Sequence, residues 1–231
     1  GEKKMISNEE LIELEKKYFI ILKNTLSANL GKIISQICGQ KLFENLAENE
    51  KNNVIDTAVE NIVEGVISRS LDWNTCSMPI KSDSCYECGD AIIHIDAKTI
   101  KITDEDARKN KLNVEKAQTT YDSSNERMVS NKKWKPNLNF YEKHGYYGII
   151  PNLTYFIKVI YSSDNLVESI SLISIPHGQL YEIFTDNILN AGKDLESSDR
   201  NKRKNIRFLI NKIIEFNGQS WRSELIFERK N

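Results

Sequence analysis

The sequence predicts an α/β (α+β) fold in which a central β-sheet is flanked by helices. Two changes in the hydrophobic pattern support this prediction. Apolar residues recur at three- and four-residue steps up to Leu71, alternate with polar residues between Asp72 and Pro176, and then return to helical spacing. The expected order along the chain is therefore helices, then a sheet, then helices.

Length and composition favour one globular domain. The chain has 231 residues, of which 39% are hydrophobic and 28% are charged, and its formal net charge is −1. This net charge neither requires nor excludes a nucleic-acid partner. Because no apolar run reaches the length of a membrane span and residues 1–4 lead into a charged segment, we expect a cytoplasmic protein without a membrane partner.

Helical segments are predicted before the sheet. Ser7 and Glu10 have the spacing of a capping box, so a helix should begin at Ser7. Apolar residues continue at helical steps as far as Ile37 and predict one long helix or two in succession. The segment Glu50–Leu71 carries a further apolar stripe. Beside that stripe lie three acidic residues spaced four apart, which are Asp56, Glu60 and Glu64.

Strands are predicted where apolar residues alternate with polar ones or where β-branched residues are frequent. The predicted strands are Ala91–Lys98, Thr154–Tyr161 and Val167–Ile175. The last two flank Ser162–Asn165, which has the composition of a hairpin turn.

A second hairpin is predicted at the start of the sheet. Residues Asp83–Glu87 supply the partner of the Ala91–Lys98 strand, and Cys88-Gly89 supplies a two-residue loop. This register places Asp83 opposite His94.

The last part of the chain is predicted to be helical. His177–Leu189 has helical spacing, Asn190–Ser198 is a polar loop, and Arg200–Phe216 has the pattern of a basic amphipathic helix. The long polar segment Thr103–Gly145 carries no assigned element.

Acidic and basic side chains converge on one face of the Ala91–Lys98 strand. Because side chains alternate between the two faces of a strand, His94, Asp96 and Lys98 point the same way. Asp83 shares this face in the predicted hairpin, diagonally beside Asp96 with roughly 7–8 Å between the backbones. Two carboxylates can hold Mg²⁺, and a neighbouring lysine can orient or deprotonate a water molecule. The combination suits a metal-dependent phosphodiesterase; the alternative is an ordinary ion pair on a solvated sheet surface.

The spacing of these residues resembles a known nuclease motif. Asp83, a gap of twelve residues, and then Asp96-Ala97-Lys98 at a strand end look like the PD-(D/E)xK motif, which many type II restriction endonucleases carry. Ser82 stands where that family often has proline. The resemblance implies a restriction-endonuclease-like fold with a central mixed β-sheet flanked by helices.

The resemblance also implies roles for individual residues. Asp83 and Asp96 would hold the Mg²⁺ ion, and Lys98 would be catalytic. A helix before the strands often supplies a further carboxylate in this family. Glu60 fits that role, and Glu64 or Asp56 are its substitutes.

The resemblance implies a single nuclease domain over residues 1–231. Its parts are N-terminal helices (1–49), a catalytic core (50–176) and C-terminal helices (177–231). Within the core, the polar segment at about 103–145 is the expected DNA-recognition segment, mobile in the free protein and ordered on DNA.

Basic and amide side chains in that segment are expected to contact DNA. Lysines suit phosphate contacts, and asparagines suit hydrogen bonds to base edges. The expected DNA-binding residues are Asn131, Lys132, Lys133, Trp134, Lys135 and Asn137. An alternative is a second basic cluster made of Arg200, Lys202, Arg203, Lys204 and Arg207.

The leading hypothesis is a sequence-specific, Mg²⁺-dependent endonuclease of double-stranded DNA with type II restriction character. A homodimer is expected, because a two-fold axis matches a palindromic site. One alternative is another nuclease of the same superfamily, such as a resolvase, a repair nickase or a modification-dependent enzyme. A non-enzymatic alternative is a zinc-containing DNA-binding module that would use Cys76, Cys85, Cys88 and His94, because structural zinc needs four such ligands.

Overall fold

Helices and strands of this chain were identified in a computed structural model, which describes residues 6–38, 48–76, 83–108, 110–123, 134–144, 148–162, 166–192 and 205–230. The α-helices are α1 (Asn8–Ala28), α2 (Leu30–Cys38), α3 (Glu48–Ser70), α4 (Glu105–Arg108), α5 (Tyr181–Phe184) and α6 (Ile210–Glu215). The β-strands are β1 (Asn74–Thr75), β2 (Ser84–Cys88), β3 (Ala91–Lys101), β4 (Lys111–Glu115), β5 (Tyr141–His144), β6 (Gly148–Tyr161), β7 (Val167–Ile175), β8 (Leu189–Ala191), β9 (Asn205–Leu209) and β10 (Ser223–Glu228).

The N-terminal helices begin and end where the sequence predicts. Ser7 caps α1 in a complete capping box, because its side chain accepts from the Glu10 N–H and the Glu10 side chain accepts from the Ser7 N–H. Asn29 then separates α1 from α2, so the apolar pattern corresponds to two helices in succession. None of the helices in the described ranges is long and apolar enough to cross a membrane.

The central sheet is mixed, as expected. Within the described residues it contains seven strands in the order β1-β2-β3-β6-β7-β10, and β5 pairs with the beginning of β6. β3 and β6 run parallel, whereas the other neighbours run antiparallel. A parallel pair needs a crossover connection, and the chain between β3 and β6 supplies it.

The sheet has one apolar and one polar face around β3. Ile93, Ile95 and Ala97 are buried in the hydrophobic core on the side where α3 packs against β3. His94 and Asp96 lie on the other side, and they are also buried, with exposures of 1% and 2%. Part of the crossover covers them, so two buried layers enclose the middle of β3.

The register of the first hairpin differs from the prediction by two residues. Cys88 pairs with Ala91 and Cys85 pairs with His94, so the loop is Gly89-Asp90 rather than Cys88-Gly89. A shift of two residues preserves the face on which every side chain lies, because the side-chain period of a strand is two. Asp83 therefore remains on the Asp96 face. In the observed register it lies opposite Asp96, whereas the prediction placed it opposite His94.

The prediction of a basic helix over Arg200–Phe216 is wrong for its described residues. Residues 205–209 form β9, and only Ile210–Glu215 is helical. Ile206 and Phe208 are fully buried on one face of β9, which lies between β4 and β8 in a small second sheet. The strand forms because it pairs with β4. The sequence did not indicate this, because β4 lies in the segment without an assigned element.

His177–Leu189 is also not one helix. It consists of the short α5 between 3₁₀ turns at Gly178–Leu180 and Thr185–Ile188, and it continues directly into β8. The edge strand β10 pairs with β7, so the expected C-terminal helices include three strands within the described residues.

Candidate active site

Asp96 is the most buried acid of the predicted constellation. Its Oδ1 accepts a hydrogen bond from Gln118 Nε2 at 2.9 Å, and Lys98 Nζ lies 2.7 Å from its Oδ2. Asp96 Oδ2 is buried, and its partner is the Lys98 amine. Burial raises the pKa of Asp96 to about 7; the Lys98 charge opposes this rise, and the Asp83 charge adds to it.

Asp83 is attached to the backbone of β3 immediately after Asp96. Its Oδ2 accepts a hydrogen bond from the Ala97 N–H at 2.6 Å. Burial raises the pKa of Asp83, and the Ala97 hydrogen bond and the Lys98 charge partly offset this effect. Because Ser84 pairs with Ile95, the register continues to Asp83 opposite Asp96, rather than diagonally beside it as the sequence predicted.

Lys98 completes the group at a less buried position. Its side chain is 26% exposed, whereas that of Asp96 is 3% exposed. Lys98 also lines a cleft of about 450 Å³ together with Asp56, Thr99 and Lys101. The buried carboxylates and this open cleft thus meet at the lysine.

Helix α3 brings carboxylates to the same place. Burial raises the pKa of Glu60, and the charges of Asp83 and Asp56 add to that rise. Asp56 accepts a hydrogen bond from Thr99 Oγ1, and its pKa is raised to about 6 by burial, against the opposing charge of Lys98. Glu60 is therefore the acid of α3 whose charge acts on Asp83, whereas Asp56 is attached to β3. Glu64 lies one helical turn further along.

The donor set of this site fits a hydrated Mg²⁺ ion. No group of three or more His, Cys, Asp or Glu side chains in the described ranges is arranged to hold a metal. Mg²⁺, however, keeps several water ligands and needs only one or two carboxylates from the protein. Asp83 and Asp96 supply two, and the Asp96 carboxylate has only the neutral Gln118 amide on Oδ1 and the Lys98 amine on Oδ2 as close partners among the described residues.

The cysteines and His94 do not converge. Cys85 and Cys88 are three residues apart on β2, so their side chains lie on opposite faces. Cys85 lies beside Cys76, whereas the surroundings of Cys88 include Tyr18 and Asp90. His94 Nε2 lies 2.7 Å from Asn152 Oδ1, and burial lowers the pKa of this imidazole to about 4. This arrangement does not supply the four convergent ligands of the zinc alternative.

The expected DNA-binding residues have different surroundings. Asn131, Lys132 and Lys133 lie outside the described residues, and Lys135 and Asn137 are exposed. Trp134 is only 1% exposed and belongs to the hydrophobic core, so its indole is not available to a duplex. Burial of this large apolar side chain attaches the end of the segment to the core.

The second basic cluster is described only at Arg207. Its guanidinium binds the Asp106 carboxylate at 2.9 Å and donates to the Ala191 carbonyl. The other four residues of that cluster lie outside the described residues. Arg207 therefore links the small sheet to α4 and is occupied within the protein.

Gln118 is a residue of the site that the sequence did not reveal. It belongs to a 3₁₀ turn, Lys116–Gln118, in the segment without an assigned element. The pattern Glu115-x-x-Gln118 has capping spacing and could have indicated the turn. Its contact with Asp96 spans 22 residues and has no sequence signal.

Comparisons with known proteins identify the family and the fold. The family model of the N-terminal domain of the type II restriction enzyme MwoI matches residues 4–165. The crystal structure of the restriction endonuclease BglI bound to its DNA recognition sequence has a TM-score of 0.70 and 17% identity, covering 95% of this chain and 91% of BglI. The structure of tetrameric SfiI bound to cognate DNA has a TM-score of 0.72 and 15% identity, covering 97% of this chain and 87% of SfiI.

No curated protein sequence matches the chain significantly. The two solved structures confirm the restriction-endonuclease-like fold that the PD-(D/E)xK resemblance implied. Restriction endonucleases related to this chain generally use a divalent metal. Because the family model spans well over half of the sequence, the chain belongs to the family of type II restriction enzymes defined by the MwoI N-terminal domain.

Proposed function

We propose that this enzyme uses Mg²⁺ to hydrolyse phosphodiester bonds at a specific sequence in double-stranded DNA, with Asp83, Asp96 and Lys98 as its active site. The observation that carries the proposal is that the Ala97 N–H holds the Asp83 carboxylate next to Asp96, which pairs with Lys98, and that Lys98 also lines an open cleft. The family membership supports the reaction class.

Asp83 and Asp96 would hold the metal, and a hydrogen bond within the protein orients each carboxylate. The Ala97 N–H fixes Asp83, and the Gln118 amide fixes Asp96. A bound divalent ion would neutralise charge that develops on the scissile phosphate and would lower the pKa of a water ligand. The Lys98 amine is the group in position to orient or deprotonate the attacking water and to contact a phosphate oxygen.

Glu60 is proposed as a supporting carboxylate on α3. Its charge acts on Asp83, and its half-buried carboxylate would accept hydrogen bonds from water ligands of the metal. Such contacts orient the water ligands of a metal ion. Glu60 would therefore tune the metal site without being one of its principal ligands.

DNA recognition is proposed for the segment that includes the exposed Lys135 and Asn137, together with Asn131, Lys132 and Lys133. Mg²⁺ and the catalytic residues can act on any phosphate, so sequence discrimination needs other groups that reach base edges. The DNA-bound structures of BglI and SfiI support a duplex as the partner. A homodimer would place one active site at each strand of a palindromic sequence.

The proposal is tested by incubating the enzyme with phage and plasmid DNA in MgCl₂, in CaCl₂ and in EDTA. Discrete fragments that require MgCl₂ and disappear with Asp96→Asn are expected. Mapping the fragment ends gives the recognition sequence. Cleavage restricted to branched, nicked or modified DNA would instead support another nuclease activity of the superfamily. Absence of cleavage on all of these substrates would contradict the proposal.

A further inference from the structure

We infer that Gln118 is a positioning residue that sets the orientation of the Asp96 carboxylate for metal binding, an inference that rests on the proposed function. The amide Nε2 donates to Asp96 Oδ1 at 2.9 Å. Both side chains are almost fully buried, with exposures of 5% and 2%. A hydrogen bond at such a site does not compete with bulk water, so it restricts the rotation of the carboxylate.

The direction of the Gln118 amide is fixed by a second hydrogen bond. Gln118 Oε1 accepts from the Glu115 N–H at 3.0 Å, so the amide NH₂ must point toward Asp96. The Glu115 side chain in turn accepts from the Gln118 N–H, which completes a capping box around the turn. The turn is held at its other side, because the Asn137 N–H donates to the Lys116 carbonyl at 2.7 Å.

This contact divides the two oxygens of Asp96 between different tasks. Oδ1 accepts from a neutral donor, whereas Oδ2 faces the Lys98 amine at 2.7 Å on the side of the proposed catalytic group. A neutral amide adds no positive charge beside the carboxylate, so it orients Asp96 without repelling a cation. Hydrogen-bonding partners behind a metal ligand typically contribute about ten- to a hundredfold to metal affinity or activity.

A purely local role for Gln118 is the competing explanation, because its side chain also closes the turn. The two roles are separable with two substitutions in the same capping box. Gln118→Met has a similar size and removes both hydrogen bonds of the side chain. Glu115→Ala removes the reciprocal half of the box and leaves the donor to Asp96 in place, so it is the matched control.

The test measures Ca²⁺ binding by the full-length protein from the rise of its melting temperature over a CaCl₂ series, which does not depend on cleavage. Gln118→Met is expected to need about ten- to a hundredfold more CaCl₂ for the same rise. Its DNA binding in EDTA should be unchanged, and its cleavage rate at saturating DNA should fall. Glu115→Ala should require a CaCl₂ concentration close to that of the unmodified enzyme.

The outcomes separate this inference from the proposed function. If Asp96→Asn binds Ca²⁺ as well as the unmodified enzyme does, the proposed metal site itself is wrong. If Asp96→Asn loses Ca²⁺ binding but Gln118→Met retains it, only the role of Gln118 is overturned. Should Gln118→Met fail to fold, Gln118→Glu keeps the acceptor for the Glu115 N–H and removes the donor to Asp96. Unchanged or tighter Ca²⁺ binding by Gln118→Glu would then overturn the inference.

Discussion

Asp83 precedes β2, yet its carboxylate is hydrogen-bonded to the Ala97 backbone N–H of β3 at 2.6 Å. Both neighbours of Ala97 in the chain, Asp96 and Lys98, belong to the proposed catalytic group. The hairpin register therefore sets the distance between the two proposed metal ligands. One hydrogen bond thus links Asp83, the first acid of the motif, to the middle residue of Asp96-Ala97-Lys98.

Substitution of the proposed active-site residues should abolish cleavage without unfolding the protein. Asp83→Asn, Asp96→Asn and Lys98→Ala are each expected to slow cleavage by at least about a hundredfold, because each removes a metal ligand or the amine that acts on water. DNA binding by gel shift should persist. Lys212→Ala, at an exposed lysine paired with Glu215, is the control. Near-normal cleavage by two of the three variants would refute the assignment.

Glu60 and Glu64 should differ although they lie on the same helix. Glu60→Gln removes a charge that acts on Asp83 and is expected to reduce the cleavage rate by about tenfold or more. Glu64→Gln, one helical turn beyond Glu60, should have little effect on the cleavage rate. Cleavage rates over a MgCl₂ series provide the measurement, and an equal loss in both variants would argue against a specific role for Glu60.

The proposed recognition segment should act through phosphate contacts and base contacts separately. Replacing Lys132, Lys133 and Lys135 together by Ala should weaken binding to all DNA sequences. It should also reduce the slope of log affinity against log salt by about two to three, because each phosphate contact contributes about 0.9.

Asn137→Ala should weaken binding to the cognate sequence alone. The matched control for the triple lysine variant replaces three exposed lysines elsewhere, which are Lys17, Lys212 and Lys230. Fluorescence anisotropy at several salt concentrations gives both the affinities and the slopes. If the control triple variant loses as much of the slope as the test variant, the phosphate contacts are not specific to this segment.

The cysteines should be dispensable for cleavage. Cys85→Ser combined with Cys88→Ser is expected to retain the cleavage rate within about twofold, because the two thiols lie on opposite faces of β2. A loss of stability of about 1 kcal/mol is expected from the polar group placed at the buried position 88. Elemental analysis of the purified enzyme should find no stoichiometric zinc. A full equivalent of zinc lost on this double substitution would restore the zinc alternative.

His177 should make folding stability sensitive to acid. Its Nε2 lies 2.6 Å from the Phe140 carbonyl, and its Nδ1 accepts from the Gln179 N–H, so the imidazole must be neutral to make both bonds. Burial lowers the pKa of His177 to about 4, below its ordinary value of 6.5. The stability contributed by the neutral form is present above pH 6.5 and is lost as the pH falls from 6.5 toward 4.

His177→Asn isolates this effect, because Asn can cap the same turn and does not titrate. The stability difference between the two proteins should be constant above pH 6.5. It should shift in favour of the variant by up to about 3 kcal/mol at pH 4. Urea unfolding at pH 8, 6.5, 5 and 4 measures the difference, and a difference independent of pH would exclude the titration of His177.

Elements with local signals could be predicted from the sequence by itself. Ser7 and Glu10 specify the start of α1 because their contacts span three residues. The alternation in Val167–Ile175 predicts β7 over the same bounds, because it reflects one buried face. The same periodicity, with the spacing of Asp83 from Asp96-Ala97-Lys98, was enough to indicate the nuclease motif.

Only the tertiary structure decided features that depend on distant partners. β9 is a strand because β4 and β8 pair with it, and helical spacing in its own sequence could not reveal those partners. Trp134 is buried because the core accepts its indole, although the neighbouring lysines suggested a surface position. Gln118 reaches Asp96 through the crossover between parallel strands. Short-range periodicity determines which face a residue occupies, whereas its partner on that face depends on how the whole chain packs.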